Sequence, residues 1–173
     1  MSQETLANQR RDEPPFRAGD LTAPLTCRRV VACLRNTWQS VSENLDLVRS
    51  IYADWERGDW SSAWWAHPAI EFAIADGLEP GIRTGIDAMA ASWLQWLSAW
   101  EDYRIRAEEY RELDDERVLV LHEYSGRGRT SGLDIGATWS KAATLFHVCE
   151  GKITRLVGYN NRELALADLR LEA

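Results

Sequence analysis

The second half of the sequence constrains the fold most strongly, because it alternates apolar and polar residues in several consecutive segments. The alternation covers residues 103–108, 118–125, 133–149 and 153–159. Turn residues separate these segments, including two aspartates in 113–116 and the pair Glu150-Gly151. A period of two is typical of strands, and strands joined by hairpins run antiparallel. This half of the chain is therefore predicted to form an antiparallel sheet.

The first half contains helical patterns on both sides of one further strand. Ser40 and Glu43 have the spacing of a capping box, and apolar residues then recur at helical spacing. Three helices are predicted between residues 40 and 58, over residues 61–66, and between residues 84 and 100. A last helix is predicted after Asn161, which could form its N-terminal cap. Residues 70–74 alternate as a strand. Three helices packed against one bent antiparallel sheet give an α+β domain.

The first 39 residues differ from the rest of the chain. They contain Pro14, Pro15 and Pro24 and show no sustained period. We interpret residues 1–39 as a poorly ordered N-terminal extension and residues 40–173 as the folded domain.

Charge and cysteine content exclude several classes of protein. The net charge of −7 argues against a surface that neutralises nucleic-acid phosphates, and no apolar run reaches the length of a membrane span. The three cysteines include no CxxC pair, so neither a disulfide framework nor a structural zinc site is expected. The three histidines lack metal-ligand spacing. We therefore expect a cytoplasmic, reduced protein with no metal and no cofactor.

Nine tryptophans are the most unusual feature of the composition. Eight of the nine follow residue 50, within the predicted domain. An indole buries a large area, so tryptophans usually fill a core. The alternative is that some of them line an apolar cavity.

Several short segments, in this order, carry a resemblance to a known family. They are Ile70-Glu71-Phe72, residues 110–114, residues 126–132, Gly151-Lys152-Ile153 and residues 159–162. Together with the order of helices and strands, they resemble the nuclear transport factor 2-like superfamily, and its SnoaL-like branch most closely, over about residues 44–171. The resemblance implies a cone in which a strongly bent antiparallel sheet wraps around three helices and leaves a pocket open at one end. It also implies a homodimer, which the doubly apolar strand 118–124 supports.

The resemblance does not transfer a catalytic residue. Members that resemble ketosteroid isomerase use a carboxylate base on the first strand, a tyrosine on the first helix and a protonated aspartate on a later strand. These positions fall at Phe72, Ile51 and Ala143, and none of them matches. Tyr52 is one residue from the tyrosine position. The family includes isomerases, polyketide cyclases, dehydratases, hydrolases and non-catalytic assembly subunits, so fold alone does not give function.

His122 is the best candidate for catalysis. It shares a strand face with Val118, Val120 and Tyr124, and an imidazole that points into the cone could act as a general base. The alternative is a buried histidine that is hydrogen-bonded to a neighbour.

Seven further residues are predicted to line the pocket. They are Trp55, Trp64, Phe72, Trp96, Tyr124, His147 and Asn160. Such a lining favours a small apolar or aromatic ligand held by a few polar contacts. The prediction is a SnoaL-like small-molecule-binding protein. The alternatives are a proton-transfer enzyme that uses His122 as its base and a non-catalytic dimeric assembly module.

Overall fold

A computed structural model describes residues 37–77, 81–129 and 140–172, with side chains from residue 43 onward. The described elements are α1 (Thr37–Glu56), β1 (Ala66–Ile74), β2 (Arg83–Thr84), α2 (Ile86–Ser98), β3 (Trp100–Asp114), β4 (Arg117–Gly128), β5 (Ser140–Cys149), β6 (Lys152–Tyr159) and α3 (Arg162–Leu169). The predicted α+β class is confirmed. Residues 1–36 of the predicted extension and residues 133–139 of the predicted long strand lie outside the described residues.

The six strands form one mixed sheet in the order β2-β1-β6-β5-β4-β3. The strands β3 to β6 pair antiparallel in sequence order, as their connections predict. In contrast, β1 lies parallel to β6, with Phe72 opposite Leu156. The prediction of a wholly antiparallel sheet is therefore wrong at this pair. Hairpins fix the direction only of consecutive strands, whereas α2 and four strands separate β1 from β6 in the chain.

The turn between β5 and β6 lies at Glu150-Gly151, where the sequence predicted a hairpin. Glu150 and Gly151 have φ angles of 51° and 72°, both in the left-handed region. Two consecutive positive φ angles are typical of tight hairpin turns, because they match the twist of the strands. Glycine adopts this conformation without steric cost.

The two faces of the sheet are buried in separate clusters. The inner face is defined by Val118, Val120 and Phe146, which pack against α1. The outer face is defined by Leu119 and Leu145, which pack with α3. The prediction that both faces of the strand at residues 118–124, now β4, are covered is confirmed. Because α3 of the same chain covers the outer face, its apolar residues do not by themselves require a second chain.

Two helix boundaries differ from the prediction. The helix α1 begins at Thr37, three residues before the expected cap at Ser40. Residues 61–66 do not form a helix. There the amide and hydroxyl of Ser61 donate to the Asp59 carboxylate, at 3.1 and 2.7 Å, and such local bonds compete with a helix. The strand β1 consequently starts at Ala66, earlier than predicted.

The predicted cap of the last helix is confirmed. The side-chain oxygen of Asn161 accepts hydrogen bonds from the amides of Glu163 and Leu164, at 2.9 and 3.4 Å. These amides have no partner within the first turn of α3, so the asparagine fixes where the helix begins. Among the described residues, no helix is long and apolar enough to span a membrane.

The expectation of a reduced protein is wrong at one cysteine. Cys149, the last residue of β5, is disulfide-bonded. The other two cysteines lie outside the described residues. An odd cysteine count and the absence of a CxxC pair do not exclude a bond between cysteines that are distant in sequence.

Candidate functional site

A pocket of about 610 Å³ lies between the inner face of the sheet, the end of α1 and one side of α2. Its lining includes seven aromatic rings from the inner side of the fold: Trp55, Trp60, Phe72, Trp93, Trp96, Tyr103 and Tyr124. We call this set the aromatic wall. Its members come from two helices, three strands and one loop, so only the folded chain brings them together.

The rings of the aromatic wall pack against one another. Trp55 and Trp60 are stacked, with ring centroids 5.4 Å apart and planes inclined by 15°. Trp93 meets Trp55 edge to face, with a centroid distance of 5.0 Å and an angle of 74°. Offset and edge-to-face contacts are the geometries that aromatic pairs favour. The tryptophans were expected either to fill a core or to line a cavity. These indoles do both, because they pack against one another and also line the pocket.

One polar pair lies at the inner part of the pocket. The hydroxyl of Tyr52, on α1, is 2.9 Å from Nδ1 of His122, on β4. Tyr52 is completely buried, and His122 lines the pocket. Burial raises the pKa of Tyr52 well above its usual range, and the nearby Thr144 hydroxyl offsets this in part.

His122 is neutral at pH 7. Burial, aided by the positive charge of Arg162, lowers the pKa of its imidazole to about 4. The guanidinium of Arg162 donates to the backbone oxygen of His122 at 3.0 Å and also binds the carboxylate of Glu108. That ion pair lowers the pKa of Glu108. The first residue of α3 thus joins β3 and β4 directly behind the histidine.

A second polar group lies where β1 ends. The carboxylate of Asp76 accepts three hydrogen bonds: from the amide of Asn160 at 2.9 Å, from its side chain at 3.1 Å, and from the amide of Asn161 at 2.8 Å. Asp76, Asn160 and Arg83 all line the pocket. Asn160 and Asn161, between β6 and α3, hold this carboxylate in place. The pocket therefore contains a second hydrogen-bonding group besides His122.

Comparison with known proteins identifies the fold. No protein-family model and no curated protein matches the sequence. Solved structures do match. An NTF2-like protein of unknown function from Burkholderia pseudomallei has a TM-score of 0.60 and 18% identity, covering 72% of this chain and 95% of that one. A candidate polyketide cyclase from Xanthomonas campestris has a TM-score of 0.56 and 23% identity, covering 75% and 98%.

A third structure agrees with these two. It is a protein with a ketosteroid isomerase-like fold from Catenulispora acidiphila, in complex with trimethylamine. Its TM-score is 0.55 and its identity 14%, covering 73% of this chain and 94% of that one. The chain has the nuclear transport factor 2-like fold. The resemblance found in the sequence is confirmed at this level, and identities below 25% say nothing more about function.

Within this fold, most of the predicted pocket residues come together. Six of the eight candidates line the pocket: Trp55, Phe72, Trp96, His122, Tyr124 and Asn160. Trp64 and His147 do not line it. The side chain of Trp64 is half exposed, because Trp64 and Trp65 lie in a turn, not a helix, and Trp65 is the one that is buried. His147 shares the outer face with Leu145, since alternate residues of β5 point to opposite sides.

Sequence reasoning missed several residues of the site, including Tyr103 of the aromatic wall. Trp93 lies on the same predicted helical stripe as Trp96, so its spacing was an available signal. Tyr52 was placed one residue from the tyrosine position of the isomerases, and its side chain nevertheless reaches the interior. Trp60 and Asp76 lie in loops, where no period indicates direction. The position of Asp76 depends on a junction 84 residues away.

The catalytic positions of the isomerases remain unmatched in three dimensions. On β1 the inner face carries Phe72, whereas Glu71 pairs with Arg155 through a 2.7 Å hydrogen bond. On β5 the polar residue that lines the pocket beside Ala143 is Thr144, which is not an acid. Within the described ranges, no three His, Cys, Asp or Glu side chains form a group that could hold a metal ion.

Proposed function

We propose that this protein binds a flat, largely apolar small molecule in the pocket of the cone. The observation that carries the proposal is the aromatic wall around a space of about 610 Å³. Ligand pockets in proteins are typically about 300–1,000 Å³ and mostly apolar, with a few polar groups that fix orientation. Flat rings in edge and stacked contacts leave apolar surfaces on which a planar molecule can pack.

The polar groups of the pocket support a defined orientation for the ligand. His122 and Thr144 line the pocket from the neighbouring strands β4 and β5, whereas Asp76 and Asn160 follow the ends of β1 and β6. A molecule that spans the pocket meets a neutral imidazole at one point and a carboxylate at another. A ligand with two separated polar groups on an apolar frame fits this arrangement.

Thermal unfolding with and without ligand tests the proposal. A panel of planar aromatic ketones, steroids and terpenoids should contain compounds that raise the Tm with dose, because binding to the native state adds to stability. Ser92, on α2, lines the pocket, and Ser92→Phe should remove the shift by filling the space. Ser98→Phe makes the same change at an exposed position of α2 and should leave the shift intact. A panel that gives no shift with the parent protein would contradict the proposal.

A proton-transfer enzyme with His122 as base is the second candidate. A general base works best when its pKa is near the operating pH. A histidine whose pKa is lowered to about 4 is a weak acceptor of protons at pH 7. In the described residues, the ring is held by the Tyr52 hydroxyl rather than by a carboxylate that would strengthen it as a base. These facts favour binding over catalysis by His122.

The homodimer and the assembly module stay predictions. Their support is the family resemblance, because the apolar outer face is covered by α3 within one chain. Light scattering of the purified protein measures the mass directly, and a mass of one chain would contradict both.

A further inference from the structure

The pocket contains a carboxylate, Asp76, whose hydrogen bonds all come from neutral groups. We propose that Asp76 selects ligands that carry an ammonium group, so that the bound molecule is a flat, largely apolar amine in its protonated form. This inference rests on the proposed function and narrows its ligand class by charge. It makes Asp76 a residue that determines specificity, in addition to its place in the junction between β1, β6 and α3.

Asp76 belongs to no ion pair within the described ranges of the chain. Its three hydrogen bonds come from the amides of Asn160 and Asn161 and from the side-chain amide of Asn160. Arg83 lines the pocket as well, but it does not form an ion pair with Asp76. Charges that are removed from water are usually paired with an opposite charge. A cationic group on the ligand therefore supplies a partner that the described residues do not.

The negative charge of Asp76 acts on other residues that line the pocket. Burial raises the pKa of Tyr124, and the charge of Asp76 adds to this effect. Burial and the nearby Asp168 raise the pKa of Tyr159, and Asp76 again adds to the effect. Both tyrosines line the pocket. A charge that disfavours a phenolate favours an ammonium at the same place, and the neutral His122 does not oppose it.

The aromatic rings that continue from Tyr124 suit a cation as well. Tyr124 packs against Tyr103, with ring centroids 6.0 Å apart and planes inclined by 31°. Trp96 meets Tyr103 edge to face, with a centroid distance of 6.5 Å and an angle of 86°. The faces of such rings carry partial negative charge and attract ammonium groups. Asp76 and these rings therefore favour a cationic ligand over a neutral or anionic one of the same shape.

Asp76 is held in position by the fold itself. Its bonds to Asn160 and Asn161 connect the end of β1 to the start of α3. A carboxylate has about four lone-pair sites, so three hydrogen bonds leave capacity for one more, from an ammonium N–H. Because the carboxylate is already ordered, binding such a group costs little conformational entropy of the protein.

A matched pair of probes tests the selection by charge. 2-Naphthylmethylamine and 2-naphthylmethanol have nearly the same shape, but at neutral pH only the amine is positively charged. Equilibrium dialysis should show the amine binding about tenfold more tightly than the alcohol. Asp76→Asn removes the charge and retains most of the shape of the side chain. In this variant the preference should fall to within about twofold, while the affinity for the alcohol is retained.

Asp115→Asn is the matched control, because it removes the same charge from the exposed turn between β3 and β4, outside the pocket lining. It should keep the full preference for the amine. A purely structural role of Asp76 would weaken the binding of both probes by the same factor, so an unchanged ratio in Asp76→Asn would overturn the selection by charge. Equal affinities in the parent protein would overturn it without any variant and leave the pocket function standing. Binding of neither probe by the parent protein would contradict both proposals.

Discussion

Acidification should destabilise this protein through His122 before it affects the carboxylates. The folded-state pKa of His122 is lowered to about 4, whereas an unfolded chain gives histidine a pKa of about 6.5. Between these two values the unfolded chain binds more protons than the native one. Stability therefore falls as the pH drops through this window, and it is fully present above the unfolded value.

The size of the effect follows from the two pKa values. One unit of pKa difference corresponds to about 1.4 kcal/mol, so the complete titration is worth about 3 kcal/mol. Between about pH 7 and about pH 5, roughly 2 kcal/mol of this is lost. Carboxylates with lowered pKa values, such as Glu108 and Asp114, lose their contributions mostly below about pH 5. The upper window therefore excludes most of the carboxylate titration, and comparison with His122→Gln assigns the His122 share.

Urea unfolding at the two pH values, followed by tryptophan fluorescence, measures the loss. His122→Gln removes the titrating ring and should reduce the pH dependence by about 2 kcal/mol relative to the parent protein. His67→Gln makes the same change at an exposed position of β1 and should leave the dependence of the parent protein in place. If the parent protein and His122→Gln lose the same free energy within about 0.5 kcal/mol, burial does not hold the histidine neutral in the folded protein.

Three other predictions concern single features of the fold. Asp76→Ala should lower the free energy of unfolding by about 1–3 kcal/mol, because three N–H groups lose their acceptor, and Asp76→Asn should recover part of the loss in urea unfolding. Phe146→Ala, at a fully buried position, should cost about 3–5 kcal/mol, whereas exposed Leu94→Ala should change stability by no more than about 0.5 kcal/mol. Thiol titration of denatured, unreduced protein should find one free thiol per chain, the three cysteines less the two in one disulfide, and three after reduction; three before reduction would contradict the bond at Cys149.

Local patterns predicted the elements that local interactions determine. The alternation from 118 to 125 gave a strand, and the cap at Asn161 gave the start of α3, because both signals depend on residues close in sequence. The tight turn at Glu150 and Gly151 was predicted for the same reason. Most of the candidate pocket residues were found as well, since a period of two or 3.6 assigns side chains to faces.

Features set by distant parts of the chain were not predictable in this way. Periodicity shows that His147 and Leu145 share a face of β5, but not that this face packs under α3. The parallel pairing of β1 with β6 joins Phe72 to a strand 84 residues later, and no local signal encodes it. The inward choice of Trp65 over Trp64 depends on turns that replace the predicted helix.

The protonation state of His122 depends both on local sequence patterns and on contacts between distant parts of the chain. Its face was predicted from alternation, but its chemistry is determined by groups from other elements: a hydroxyl from α1 and a guanidinium from α3. Burial and this guanidinium lower the pKa and remove the basicity that made the histidine a candidate base. The same surroundings leave a neutral ring that is hydrogen-bonded to the Tyr52 hydroxyl and to the backbone oxygen of Val120. The fold therefore turns a residue type associated with proton transfer into a neutral, buried polar group that links α1 to β4.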